Sequence, residues 1–368
     1  MNTERPVRAV LFTAGDVGGA RALLPIIHDC ERQGIPFGII AHGHITSEAE
    51  PHWPRIHIPE KVTRDEIYRT FLKKNIKTLV FGSSVHDTFP LTLAREAKKM
   101  SIPVIHILDN WTAYRHRLEH DGLPMLIPDI YTVMDEIAYN GAVADGIDPS
   151  VLHITGQPAL ATLTQLFRME QEQPLSDTGR RKIVFVSEPV AADQGYNDNF
   201  PNFRGYTEEQ VITLLCLALQ PYKNEVTLSL LPHPREKVEP LHCIWEAVRG
   251  NLEGNIIVDG KEGRHHIIEA HGIAGMASIL LYDAWLIGKP VISIQPNLKI
   301  DAFRMLQKRD GIQFVDNTDL AEPIMQFVQK LGKNHQAKFK PELNDNANAP
   351  NTIMGLVKDA SGHYLSDR

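Results

Sequence analysis

The 368-residue chain is 43% hydrophobic and 23% charged, the balance of an ordinary soluble globular protein. Its formal net charge of −7 argues against nucleic acid as a partner, although a local basic patch can still hold a phosphate. No apolar run approaches the roughly 20 residues of a membrane span, and the start "MNTERPVRAV" lacks the basic-then-apolar order of a secretory signal. Three cysteines (Cys30, Cys216, Cys243) are far apart, without metal-ligand spacing, and read as reduced thiols. These features together predict a cytoplasmic protein, and the length favours two domains over one.

Taken in chain order, the first 160 residues alternate short Val/Ile-rich runs with helical stretches. Strands are expected at 7–13, 37–41, 78–82, 104–108, 130–133 and 151–155. Amphipathic segments such as "TRDEIYRTFLKKNI" separate them. This alternation predicts a parallel sheet with helices on both faces. The polar, charged stretch 166–182 follows and reads as an interdomain linker. A second alternating series has strands expected at 183–187, 226–231, 256–258, 267–270 and 291–294. Thr207 is the expected N-cap of the helix between the first two of these. One more helical stretch is expected near 347–359. The fold class is therefore α/β, with two doubly wound Rossmann-like domains facing across a cleft. Their bounds are 1–165 and 183–345, and 346–368 forms a C-terminal helix and tail.

In open α/β sheets, ligands bind at the carboxyl ends of the strands, so the loops there carry the argument. After the first strand comes "AGDVGG". Gly15 and Gly18 let backbone approach a ligand closely, and the following helix offers unpaired N–H groups. The spacing is not that of a dinucleotide fingerprint, and no P-loop lysine is present. Asp16 reads equally as a base for an acceptor hydroxyl or as the helix N-cap. In "HILDNWTAYRHR", Asp109, Asn110, Trp111, Tyr114 and Arg115 form a candidate surface for a polar ligand, the aromatic faces suiting sugar rings and the guanidinium groups suiting anions. The same residues also read as a helix cap with an aromatic core contact.

In the second half, "VSEP" places Ser187 and Glu188 at the end of a strand, as candidates for nucleotide or sugar hydroxyls. "LPHPRE" holds His233 between two prolines and beside Arg235, an arrangement suited to a diphosphate or to proton transfer. "AHGIAGMASILLYDAWLIGKPVIS" runs from a strand through Gly275, Met276 and Ala277 to Ser278 at a helix start, a natural anion site. Asp283 lies five residues on, about 7.5 Å along a helix, roughly the reach from a nucleotide's phosphates to its ribose hydroxyls. No Asp-x-Asp pattern in a strand-end loop points to a metal-bound diphosphate, so no metal and no cofactor are expected.

These motifs, in this order, resemble the two-Rossmann GT-B architecture shared by nucleotide-sugar glycosyltransferases and UDP-N-acetylglucosamine 2-epimerases. The likeness spans most of residues 8–330. "LVFGSSVHDTFPLTLAREAKKMSIPVIHILDN" and "TGQP" are similar in layout to the epimerases' first domain. The resemblance implies that the second domain binds the nucleotide and the first binds the acceptor or the reacting sugar face. By that resemblance Asp283 falls on the ribose, Ser278 and the backbone of Gly275, Met276 and Ala277 on the phosphates, and His233 beside the diphosphate. The His-Pro loop also resembles that of bacterial GT-B sialyltransferases, which use CMP-sugars. The epimerases' opening Gly-Thr-Arg-Pro-Glu is replaced by Ala14-Gly15-Asp16-Val17-Gly18, and their Val-Glu-Ala-Gly-Leu-Arg by Leu108-Asp109-Asn110-Trp111. These departures favour transfer to an acceptor.

The expected activity is thus metal-independent transfer of a sugar from a nucleotide-sugar to a hydroxyl acceptor, in polysaccharide, glycoconjugate or small-molecule glycosylation. Asp16 or Asp109 would serve as the base, with His233 beside the leaving group. Nucleotide-sugar epimerisation or hydrolysis, and non-catalytic binding, are the alternatives. The sequence leaves the oligomeric state open.

Overall fold

The computed structural model describes residues 9–84, 87–119, 122–161, 163, 166–167, 179–260, 263–331 and 339–361. The chain forms two compact units, Met1–Thr164 with Asn344–Arg368, and Gln165–Leu343. Most of the stretch expected as a linker, 168–178, lies outside the described residues, as does the tail beyond 361.

The first unit holds a seven-stranded sheet of β1 (Ala9–Thr13), β2 (Phe37–Ile40), β3 (Arg55–Ile56), β4 (Ile76–Phe81), β5 (Val104–Ile107), β6 (Ile130–Val133) and β7 (Leu152–Ile154). The order is β3-β2-β1-β4-β5-β6-β7, with every pair parallel. Central strands of such a sheet are covered on both faces, which requires apolar runs rather than alternation. Val10, Leu11 and Phe12 of β1 accordingly have no exposure.

The helix Val17–Arg32 buries Ala20, Leu23, Ile26, Ile27 and Cys30, the i, i+3, i+4, i+7 stripe of an amphipathic helix. Burial pushes the Cys30 thiol up to about 12, so it packs as an inert apolar group. The helix Arg64–Lys73 begins with a capping box, in which the Thr63 side chain accepts the Glu66 N–H and the Glu66 side chain accepts the Thr63 N–H.

The second unit repeats this plan with six strands. They are β8 (Arg181–Val186), β9 (Val226–Leu231), β10 (Gly254–Ile256), β11 (Gly272–Gly275), β12 (Val291–Ile294) and β13 (Ile312–Val315). The order β10-β9-β8-β11-β12-β13 is again all parallel. Thr207 caps the helix Glu208–Leu219 in a second capping box, with Gln210.

The structure corrects the expected strand at 267–270. Ile267 and Ile268 are the buried face of the helix Gly263–Glu269, and the strand is the following "GIAG". Glycine-rich composition concealed that strand. The glycine is required there because a Cβ at Gly272 would stand 2.3 Å from Leu331 Cδ2 on the covering helix. The expected strand at 256–258 lies two residues earlier, and β3 and β13 had no counterpart in the sequence reading.

The C-terminal helix, Glu342–Ala360, is longer than expected and packs into the core of the first unit. Ile353, Met354 and Val357 are buried there with Leu23, Ile26 and Cys30. The Cys30 thiol lies 3.6 Å from the Met354 sulfur, and Thr78 Oγ1 lies 2.6 Å from Ser361 Oγ. The chain's last helix therefore completes the hydrophobic core begun by its first. Replacing Ile353 with Ala should cost about 2–5 kcal/mol. The loss should appear as faster amide exchange in the helix Val17–Arg32, while amides of β8 and β9 keep their protection.

Candidate functional site

Both sheets reverse their direction of winding once, between β1 and β4 in the first unit and between β8 and β11 in the second. At such a switch point the neighbouring connections leave to opposite faces, opening a crevice at the strand ends. The polar groups of each unit collect there.

In the first unit, the loop after β1 carries Gly15, Asp16 and Gly18. Asp16 Oδ1 accepts the Gly19 N–H at 3.1 Å, so the side chain caps the helix Val17–Arg32. Gly18 passes hard against Asp109, where a Cβ would stand 1.9 Å from Oδ2. Asp109 is itself held by Arg117, whose Nη1 donates to Oδ1 at 2.5 Å and to the Ser83 carbonyl at 2.9 Å. Burial pushes the Asp109 carboxyl up; Arg117 works against that shift and the nearby Asp16 adds to it. The structure thus brings together Gly15, Asp16, Gly18 and Asp109.

It does not bring the aromatic residues to the same surface, which corrects the expected sugar-stacking role. Trp111 is buried, its indole N–H donating to both Asp135 oxygens at 3.0 and 2.9 Å. Tyr114 is buried against Gly141. The indole dipole and the close glycine approach turn both rings into braces between the loop and the helix Glu136–Ala144. Arg115 points outward and pairs with Glu119, and Asn110 closes its own turn onto the Trp111 N–H at 2.7 Å.

In the second unit, Ser187 Oγ donates to Glu236 Oε1 at 2.8 Å, and the His233 N–H donates to Glu236 Oε2 at 2.6 Å. Glu236 therefore ties the end of β8 to the end of β9. Its burial pushes its carboxyl up, against the pull of these hydrogen bonds. His233 Nδ1 accepts the Arg235 N–H at 3.1 Å. Burial, with Arg235 beside it, pushes the ring below its ordinary value. At neutral pH the imidazole is thus uncharged, with its proton on Nε2 as a donor. The Arg235 guanidinium instead grips Asp193 at 2.8 and 2.7 Å on the exposed side of the loop.

After β11, Met276, Ala277 and Ser278 lead into the helix Ile279–Leu286. Ser278 Oγ accepts the Leu280 N–H at 3.3 Å as the N-cap. The Ala277 N–H donates to Glu188 Oε2 at 2.6 Å, so a carboxylate from the end of β8 already occupies the positive end of this helix. Arg204 holds the other Glu188 oxygen at 3.1 Å and stacks over Phe303 at 3.8 Å. Met276 is fixed from behind, its carbonyl accepting Ser293 Oγ at 2.6 Å and Gln295 Nε2 at 3.2 Å. Ser187, Glu188, His233, Gly275, Met276, Ala277 and Ser278 thus share one strand-end cluster.

Asp283, expected to read a ribose, stands apart from that cluster. It has no exposure, and its Oδ2 accepts Arg264 Nε at 2.9 Å. A helix of this apolar character turns its single carboxylate inward, where the neighbouring helix Gly263–Glu269 supplies the counter-charge.

Beside Gly15, His42 pairs with Asp87 and Glu60; these three and, in the second cluster, Arg204, Glu236 and Gln295 were given no role in the sequence reading. His42 and Asp87 each follow an expected strand within a few residues, so the strand-end criterion alone could have found them. Arg204 sits in a loop beyond a short helix and carried no such signal.

Sequence comparison finds no matching protein-family model and no matching curated protein. Comparison of folds is more informative. UDP-GlcNAc 2-epimerase from Methanocaldococcus jannaschii superposes with a TM-score of 0.65 at 15% identity, covering 95% of this chain and 99% of that one. Acinetobacter baumannii MurG superposes with a TM-score of 0.61 at 12% identity, covering 96% and 99%. UDP-GlcNAc 2-epimerase from Neisseria meningitidis, solved with UDP-GlcNAc bound, gives 0.61 at 15% identity over 95% and 100%.

The chain has the GT-B fold. Both of its sheets are doubly wound and all parallel, and the matches cover 95–96% of this chain and 99% of those two structures. Identities of 12–15% mean that the match rests on topology, with the strand-end residues free to differ.

Removing the Asp283 carboxylate tests its assignment. Asp283→Ala removes the buried carboxylate that holds Arg264 Nε and should destabilise the second unit by about 3–5 kcal/mol in urea. A cost below about 1 kcal/mol, with a large loss of nucleotide affinity instead, would restore Asp283 to the ligand.

Proposed function

We propose that the chain is a nucleotide-sugar enzyme, and specifically a metal-independent glycosyltransferase that moves a sugar from a nucleotide-sugar to a hydroxyl acceptor. The observation that carries this reading is the 2.6 Å hydrogen bond from the Ala277 amide to the Glu188 carboxylate, at the second unit's switch point. An amide and helix terminus that already take one anion can take a phosphate oxygen in its place. A more highly charged phosphate competes well against a single carboxylate that Arg204 is able to retain. The His233 Nε2–H offers a neutral donor to the bridging oxygen, and Ser278 a hydroxyl.

On this reading the leaving nucleotide's charge is met by the helix Ile279–Leu286 and these donors. Asp283 supports the site from below rather than reading the ribose. The first unit then supplies the acceptor site, where Asp16, Asp109 and Arg117 form a polar floor beneath Gly15 and Gly18. Replacement of the epimerases' opening pattern by Ala14-Gly15-Asp16-Val17-Gly18 favours an acceptor there.

The second reading, epimerisation or hydrolysis of a nucleotide-sugar, is favoured by the fold neighbours, several of which are UDP-GlcNAc 2-epimerases. Product analysis with and without an acceptor separates the two.

The first experiment is a thermal-shift screen with UDP, CMP, GDP and TDP and their sugars. A nucleotide at a hundredfold its Kd stabilises the native state by about 2.7 kcal/mol and must raise the Tm. His233→Ala should weaken the same nucleotide about tenfold or more, the worth of a hydrogen bond to a charged group. If no nucleotide raises the Tm, the proposal fails in both its transferase and its epimerase forms.

A further inference from the structure

Glu236 joins two strand ends of the second unit. Its Oε1 accepts the Ser187 hydroxyl proton at 2.8 Å, at the end of β8. Its Oε2 accepts the His233 N–H at 2.6 Å, at the end of β9. The Glu236 N–H returns to the His233 carbonyl at 2.8 Å, so the turn is closed in both directions. Ser187 has no exposure, and its own N–H donates to the Leu231 carbonyl at 2.9 Å. The carboxyl group is therefore held at both oxygens.

Its two donors differ in one respect. A backbone N–H can only donate, whereas a hydroxyl donates or accepts. A proton on Oε1 leaves Oε2 to the His233 N–H and requires only that Ser187 turn from donor to acceptor. The neutral carboxyl thus keeps both contacts. The His233 ring has no such freedom. Its Nδ1 already accepts the Arg235 N–H at 3.1 Å, and a second ring proton there would face that N–H and break the bond.

The charges around Glu236 are mostly negative. Glu188 follows Ser187 in the chain, and Glu208 faces Glu236 from the helix Glu208–Leu219. On its own turn Glu236 has His233 and Arg235, and Arg235 is turned to Asp193 on the helix Val190–Gln194. Arg204 is engaged with Glu188, and Lys237, next in the chain, is exposed. Burial pushes the Glu236 carboxyl up, Glu208 and Glu188 add to the shift, and its two hydrogen bonds oppose it.

A phosphate taking the Ala277 N–H brings about 1.5–2 negative charges at pH 7 into this surrounding. Resting on the nucleotide-sugar reading above, we infer that Glu236 takes up a proton as the nucleotide binds, and that the Ser187 hydroxyl reverses its hydrogen bond to accept from it. The proton comes from solvent, no covalent bond of the nucleotide changes, and His233 stays neutral. Binding and protonation then favour each other equally. The bound anion raises the Glu236 carboxyl further. Affinity is greatest below the free protein's value and falls as pH rises toward that of the complex, by about tenfold per pH unit at most for one proton.

Titration calorimetry on the full chain tests this, with whichever of UDP, CMP, GDP and TDP raises the Tm. Titrations in two buffers of different ionisation enthalpy, from about pH 5 to 8, count the protons taken up. Wild type should take up more than Glu236→Gln; proton exchange by the nucleotide's own phosphate is common to both and cancels. The glutamine reproduces the neutral carboxyl, its amide donating to Ser187 Oγ and its carbonyl accepting the His233 N–H. It should therefore bind at least as tightly as wild type at about pH 8, with a flatter pH dependence. His233→Gln should bind more weakly yet keep the uptake. In the wild type itself, added nucleotide should convert an infrared carboxylate band into that of a neutral carboxyl. Equal proton counts in wild type and Glu236→Gln, uptake lost in His233→Gln, or an unchanged carboxylate band would each overturn the inference. If none of the nucleotides binds, the nucleotide-sugar reading fails instead.

Discussion

Gly15 has no side chain, and the first unit's polar cluster depends on that. At this point the backbone leaves β1 and runs between the Asp87–His42 pair on one side and Asp109 on the other. Any Cβ at Gly15 would lie within bonding distance of a carboxylate oxygen, and so would one at Gly18. Charged groups contributed by the ends of β2, β4 and β5 can therefore converge on the end of β1 only because the chain there is bare. The strand order makes the convergence possible, since β1 lies between β2 and β4. The glycines supply the clearance.

The second unit meets the same topological constraint by a different electrostatic route. Its crevice is filled by carboxylates that already have partners: Glu236 with Ser187 and His233, and Glu188 with Ala277 and Arg204. Buried charges persist only when paired or hydrogen-bonded, so this network is what the unit must build if the crevice is to exist without a ligand. Asp283 and Arg264 apply the same rule one layer deeper. The first unit gathers histidine and carboxylate groups at its strand ends, and the second gathers carboxylates held by a guanidinium, hydroxyl and backbone N–H groups.

The sheets were legible in the sequence because their strands are buried on both faces and read as continuous apolar runs. The exceptions have local causes. "GIAG" is a central strand made of small residues, since Leu331 and Phe327 press on Gly272 and Leu281 and Val186 on Gly275, and no apolar count can detect it. Arg55–Ile56 is too short to register. The strand-end rule led to the loops where these polar clusters gather, but not to the directions of their side chains. Trp111 reads as a sugar platform until Asp135 is seen to hold its indole. Asp283 reads as a ribose ligand along the chain, and the structure adds Arg264 as its partner. Each depends on a partner at least nineteen residues away, and spacing along the chain carries no information about such pairs. His42 and Asp87 were within reach of the rule and were passed over because neither lay in a glycine-rich or proline-rich motif.

The low identity to other GT-B chains has a related cause. On the proposed reading, the second switch point supplies an N–H at Ala277 and a helix start at Ser278 to an anion, and the first of these belongs to the backbone. Many sequences can supply them. On the proposed reading, side chains are needed mainly to choose among anions and to move the acceptor's proton, and there this chain has its own solution. On the same reading a phosphate at Ala277 would take the place of Glu188, while Arg204, stacked over Phe303, would keep an anion beside it.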